Sequence, residues 1–236
     1  MVLRLLLAAA CTLTLFAHYT WLAPADPAWQ PGKTVTLRIG HGHKFPASEE
    51  AISVRNLELF VVAPSGARTP IPPKAQSGAV EGAFTVKEAG PHRAAFINDR
   101  GIVSRTPNGV RPGGRDKNPN AAQAYRTLRT GVAYLGPAAP AKPLGLEIEL
   151  TAAFANGVWE VTLLRQGKPV AGTEVEVFLA GAAKAVSAGK TGPNGKVAYK
   201  PTGKGAAMFF TEGKDPAPAG SHHDFMNYST ALYVSW

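Results

Sequence analysis

The sequence has a single cysteine, Cys11, and it lies in the apolar opening of the chain. Once that opening is removed no cysteine is left, which excludes disulfide staples, thiolate metal ligands and a cysteine nucleophile. The opening is also too short to span a bilayer, which takes about 20 apolar residues. No GxSxG elbow, no phosphate-cradling glycine loop and no HExxH pair is present, so the well-marked hydrolase, nucleotide-binding and zinc-protease classes have no motif to rest on.

What the opening does contain is MVLR, an apolar run and the small residue Ala17, the layout of a secretory signal peptide over residues 1–17. Cleavage after Ala17 makes His18 the first residue. A competing reading takes LAAAC as a lipoprotein box and leaves Cys11 as a lipidated terminus. Export without disulfides suits a bacterial periplasmic or secreted protein, with no stable membrane insertion after cleavage. Arg4 is the only charged residue of the first seventeen, so the formal charge of +9 stays strongly positive without them. The densest basic stretch, RTPNGVRPGGRDKNPN at 105–120, lacks interleaved aromatics and is rich in Gly, Pro and Asn. It reads as a solvated loop, and nucleic acid is excluded as a partner.

Residues 18–236 suit one large or two ordinary domains. The Pro- and Ala-rich segment 137–145 divides them as a linker, giving an N-terminal domain over 18–136 and a C-terminal domain over 146–236. Before the linker, Val35, Leu37 and Ile39 alternate, as do Leu57, Leu59 and Val61, the period of half-buried strands. After it, LEIELTA, EVEVFLAG and STALYVSW read the same way, and the Asn-Gly of TGPNGKVAY marks a tight reversal. The expected fold is therefore mainly β, with two immunoglobulin-like or prealbumin-like β-sandwich domains. One short helix is expected where Ala121, Ala122, Tyr125 and Leu128 fall near helical spacing after Pro119.

The six histidines carry the chemistry. A terminal His18 offers a metal its α-amine and its ring nitrogen, which titrate near ~7.7–8.0 and ~6.5 and so both lose their protons at modest cost near neutrality. His41 and His43 stand two apart around Gly42, so on an extended segment their rings point to one side. His222 and His223, with Asp224, form a second candidate group that either completes the first site, makes another or decorates a loop. Together these are the candidate metal ligands, in a nitrogen-rich set suited to divalent copper, nickel, zinc or cobalt. His92 stands alone and has no assigned role. Met226 reads as core filling, and Tyr19, Trp21, Trp29 and Phe45 as core and rim. Glu49 and Glu50 are adjacent, so on a regular strand they point apart and make a poor acid/base pair.

The segments AHYTWLAP, PGKTVTLRIGHGHKFPASE, GKPVAGTEVEVF, TGPNGKVAYKP and YSTALYV resemble a NikM-like bacterial family. That family is labelled the periplasmic component of a cobalt/nickel transport system. The resemblance implies His18 and His43 as positions typical of the family, and its transport label implies metal binding and a membrane metal transporter as partner. The leading reading is an exported binder of nickel, cobalt or copper for uptake or delivery, with no catalysis of its own. The alternatives are a copper oxygenase of the histidine-brace type acting on a polysaccharide, and a cell-surface interaction module that needs no metal.

Overall fold

The structure, a computed structural model, describes residues 18–26, 29–136 and 142–236. The signal-peptide and Cys11 expectations, and part of the expected linker, lie outside the described residues. Among the described residues all regular structure is β-strand. The N-terminal half supplies β1 (Tyr19–Pro24), β2 (Thr34–Gly42), β3 (Leu57–Val62), β4 (Arg68–Pro70), β5 (Lys74–Gln76), β6 (Ala79–Thr85), β7 (His92–Thr106), β8 (Gly109–Pro112) and β9 (Gln123–Leu135). The C-terminal half supplies β10 (Ile148–Ala155), β11 (Val158–Arg165), β12 (Lys168–Pro169), β13 (Glu174–Leu179), β14 (Val186–Lys190), β15 (Lys196–Tyr199), β16 (Ala206–Pro216) and β17 (Phe225–Ser235).

These strands make three layers. A nine-stranded central sheet runs β14-β13-β16-β17-β9-β7-β3-β4, with β8 on the end of β7. Its halves meet where β17 pairs with β9 in parallel, Phe225 opposite Tyr125 and Ser229 opposite Arg129. A smaller sheet, β1-β2-β6-β5, covers one face, and β10, β11, β12 and β15 cover the other.

The two halves are therefore not two independent sandwiches, because each core draws on both. Between the central sheet and β1-β2-β6-β5, Trp21, Leu37 and Ile39 pack with Phe96 from the N-terminal half and Phe178, Met208 and Phe210 from the C-terminal half. On the opposite face, Ile148, Leu150 and Trp159 pack with Phe60, Leu128 and Val132. A large apolar side chain contributes about 1.5–3 kcal/mol on full burial, whereas an exposed ion pair contributes about 0–1 kcal/mol. The cross-half apolar contacts thus dominate the cohesion of the molecule.

The expected strands are present, but the short helix is not. Residues 123–135 form β9, which is buried on both faces: Leu128, Val132 and Tyr134 enter one core, Ala133 and Leu135 the other. Two-sided burial removes the polar alternation of a surface strand, and Tyr125, Thr127, Thr130, Val132 and Tyr134 favour extended backbone. One face of β9 also fastens the incoming β10. Arg126 pairs with Asp99 and Glu147, Thr130 Oγ1 donates to Ile148 O at 2.7 Å, and Tyr134 Oη accepts from Ala152 N at 2.9 Å. The basic stretch after residue 100 is also not simply a loop, since Val103–Thr106 pair with Gly109–Pro112 as an exposed ribbon. The Asn194-Gly195 turn forms, yet it carries the chain from β14 in the central sheet to β15 in another sheet rather than closing a hairpin.

Three glycines let an aromatic ring lie flat over the opposite strand. Gly40 faces Trp21, Gly131 faces Phe96 and Gly213 faces Tyr228 as cross-strand partners, and a Cβ at each would come within 2.2–2.4 Å of the ring or its hydroxyl. The start of β17 is held by Asp224, which accepts from Arg115 Nε and Nη2 at 2.7 and 2.8 Å and from Ala124 N at 2.9 Å. The Arg115 hydrogen bonds, followed by that of Ala124, hold the Asp224 carboxyl down at about 2.

Two outcomes follow. Gly131→Ala should destabilise the fold by about 1–3 kcal/mol through overpacking against Phe96, read as a lower midpoint in chemical denaturation. Asp224→Asn should lower stability near neutral pH. Because the Asp224 pKa is depressed, wild type keeps its full advantage above the unfolded value of ~3.9. That advantage should shrink as pH falls and vanish through about 2, as read from denaturation midpoints across pH.

Candidate metal centre

The centre forms where the first two strands pair. His18 directly precedes β1, and the antiparallel register of β1 on β2 sets Thr20 opposite His41 and Tyr19 opposite Gly42. This brings residues far apart in sequence to one end of the small sheet. The His18 ring then stands edge-on to two others, its centroid 5.0 Å from that of His41 and 4.2 Å from that of His43.

The backbone makes room for this convergence through glycine. Gly40 accepts the Trp21 indole on the core side of β2. Gly42, at φ +152°, lies against Glu49, whose Cγ would be 2.8 Å from a Cβ there. After His43 the chain turns back, and the backbone N–H groups of Glu49 and Glu50 donate to His41 O at 2.9 and 3.3 Å. Ser48 Oγ accepts from His41 N at 2.8 Å and donates to Gly78 O, tying the turn to the sheet.

That turn delivers two carboxylates to the rings. Glu49 Oε2 lies 2.9 Å from His43 Nδ1, and its Oε1 accepts from His43 N at 3.0 Å. Glu50 Oε1 lies 3.1 Å from His18 Nδ1 and 3.6 Å from His41 Nε2. The His43 backbone hydrogen bond, then that of its ring, holds the Glu49 carboxyl below the usual range. Burial, reinforced by the charges of Arg129 and His18, holds the His41 imidazole down at about 4. His41 is therefore neutral at physiological pH and carries a free lone pair. Thr20 Oγ1 sits 2.8 Å from its Nδ1. When the Nδ1–H donates to that hydroxyl, Nε2 is left to face the cluster, the second-sphere arrangement that orients a ligating histidine.

Two donor sets result, His18–His43–Glu49 and His18–His41–Glu50, each with one ligand atom per residue and all within 4.8 Å of one another. Metal–nitrogen bonds of about 2.0–2.1 Å would require the donors of a set to converge on one point from these separations. The set is nitrogen and oxygen with no sulfur, which fits divalent first-row ions of borderline softness.

Of the six candidates read from the sequence, the structure brings His18, His41 and His43 together. His222, His223 and Asp224 lie elsewhere and are not grouped with them: Asp224 is committed to Arg115, and His222 O accepts from Arg115 N at 2.7 Å. The SHHD stretch thus fastens residues 113–124 to β17. His92 is buried against Trp29, its Nδ1 3.0 Å from Gly90 O. Met226 and Tyr228 are core residues, as are Trp21 and Phe45. Glu49 and Glu50 are adjacent, and on a strand their side chains would diverge. Here they follow the Phe45-Pro46 turn in irregular backbone, and the sequence signal for that turn is the FP that ends the extended run.

Comparison with solved structures finds a DUF4785 family protein from Legionella pneumophila subsp. pneumophila str. Philadelphia 1, at 12% identity and a TM-score of 0.29, covering 80% of this chain and 50% of that one. It also finds the D0-D1 domain of Intimin, at 14% identity and a TM-score of 0.22, covering 90% and 96%. The chain thus spans about half the length of the Legionella protein, and at these scores neither neighbour informs fold or function. No curated protein matches the chain. A family described only as a domain of unknown function, DUF4198, matches residues 15–215, and the chain belongs to it.

Proposed function

We propose that this protein binds one divalent transition-metal ion (nickel, cobalt, copper or zinc) and serves its uptake or delivery outside the cytoplasm. The observation that carries the reading is the His18 ring, which shares one donor set with His43 and Glu49 and another with His41 and Glu50. Three imidazoles and two carboxylates meet at one sheet end, and the buried, neutral His41 offers its ring nitrogen with little proton competition. Export with cleavage after Ala17 adds the His18 α-amine as a further nitrogen next to its ring. Raw affinity then favours copper, and metal supply decides the occupant. The resemblance to the NikM-like family, with its cobalt/nickel transport label, supports a carrier over an enzyme and a membrane metal transporter as partner.

The test is competition titration of protein beginning at His18 with copper, nickel, cobalt and zinc. One ion per chain is expected. Loss of an outer-sphere partner typically costs ~10–100-fold in affinity, so Thr20→Val should fall in that range. His18→Ala, His41→Ala and His43→Ala should each lose at least as much. His222→Ala and His223→Ala should bind as wild type does. One extra residue placed before His18 should weaken binding through the displaced amine. No stoichiometric ion, or unchanged affinity in the three ring deletions, would contradict the proposal.

A further inference from the structure

Beside the histidines lies an excess of positive charge that the metal reading does not use. Arg129, on β9, stands cross-strand from the buried Asn98 on β7. One residue beyond Asp99, the β7–β9 register shifts, and the extra residues of the bulge are Arg100 and Gly101, the latter at φ +70° with its N–H donating to Asp99 Oδ1 at 2.9 Å. A bulge of this kind re-aims a side chain. Here it sets Arg100 at the same cavity wall as Arg129.

Two cavities meet at that wall, and both are lined by His41, Arg100 and Arg129. One, of about 450 Å³, adds Arg55, Asn56 and Asn98, with Glu50 as its only carboxylate. The other, of about 640 Å³, adds His18 and Lys214, with Glu212 as its only carboxylate. Each therefore presents three cationic side chains against one acid, and Glu50 already faces the imidazoles of His18 and His41. Arg38, Arg68, Arg115, Arg126 and Arg165 each hold a carboxylate, whereas no ion pair or hydrogen bond to another described residue engages the guanidinium of Arg100 or Arg129. Arg55, Arg105 and Arg111 share that state, but Arg129 combines it with burial, and the charge of Glu50 only partly offsets this. Burial, then the like charge of Arg100, pushes the Arg129 guanidinium below its ordinary value, a cost that a bound anion would relieve.

We infer that Arg100 and Arg129 hold a small organic acid with two or more carboxylates, one on the guanidinium pair and another within reach of the ion at the histidines. This rests on the metal-binding reading for its second half only. Guanidinium forks match carboxylates in a bidentate way, and carboxylate oxygens are ordinary ligands for divalent ions. The cavities have the size of small-molecule sites, larger than an inorganic oxoanion requires. Walls carrying mostly one sign of charge also concentrate the opposite ion.

The probe is malonate, a weakly chelating dicarboxylate, titrated calorimetrically into purified protein, first metal-free and then nickel-loaded. Binding to both forms is expected, tighter with nickel. Arg129→Gln and Arg100→Gln should each weaken malonate by ~10–100-fold, the loss of a charge-assisted hydrogen bond; in carboxylate-free buffer the Arg100 variant should keep its nickel affinity, whereas loss of the Arg129 charge beside His41 should raise it. The Arg100 variant sits on an exposed bulge, so it keeps the test decisive if the Arg129 variant fails to fold. Absent malonate binding, or binding indifferent to both substitutions, would overturn the inference. Equal competition by inorganic phosphate would overturn the carboxylate assignment, and equal malonate affinity with and without nickel would overturn the shared-ligand arrangement. A protein that binds malonate through these arginines but takes up no metal would refute the metal reading and leave the anion pocket standing.

Discussion

The parallel pairing of β17 with β9 is the contact on which the rest of the molecule depends. It joins strands from the two ends of the chain into one sheet, so that both faces of β9 become interior and each covering sheet packs on residues from both halves. Without it, Phe178, Met208 and Phe210 would have no place beneath Trp21 and Ile39. The pairing also builds the floor of the site. Thr127 and Arg129 of β9 lie beside Asn227 and Ser229 of β17, and His18 and His41 are set over them from the small sheet.

On that floor the arrangement is set by glycine and by burial. Gly40 lets β2 carry the Trp21 indole on its core side, while Gly42 leaves space for the returning Glu49. The same turn brings Glu50 between His18 and His41. The result is a mixed electrostatic field, with Glu49 and Glu50 against the imidazoles, Arg100 and Arg129 along the adjoining cavities, and a neutral His41 common to both. Under the two proposals, a divalent cation takes the imidazoles and carboxylates and an anion the guanidiniums, so the two ligands would be neighbours and not competitors for one spot.

Much of the fold was legible in the sequence. Val35, Leu37 and Ile39, and Leu57, Leu59 and Val61, alternate because one side of each strand faces a core, and they are buried as expected. Segment 121–128 misled because a strand buried on both faces loses its alternation, and its alanines and leucine then mimic a helical stripe. The shared sheet was invisible for a different reason: nothing local in Tyr125 or Phe225 encodes their pairing across the chain. The histidine trio was readable from residue type and spacing. Glu49 and Glu50 were not, since their direction depends on a turn closed by His41 O and Ser48. Arg100 depends on a bulge, and SHHD carried a metal-like composition while serving to hold Arg115.

The most direct test of the central claim is a crystal structure of the metal-loaded protein with an anomalous difference map at the absorption edge of the ion. A single peak is expected about 2.0–2.2 Å from ring nitrogens of His18 and of His41 or His43, with Glu49 or Glu50 close by. A map with no peak among these residues, or with its ion on His222 and His223, would contradict it.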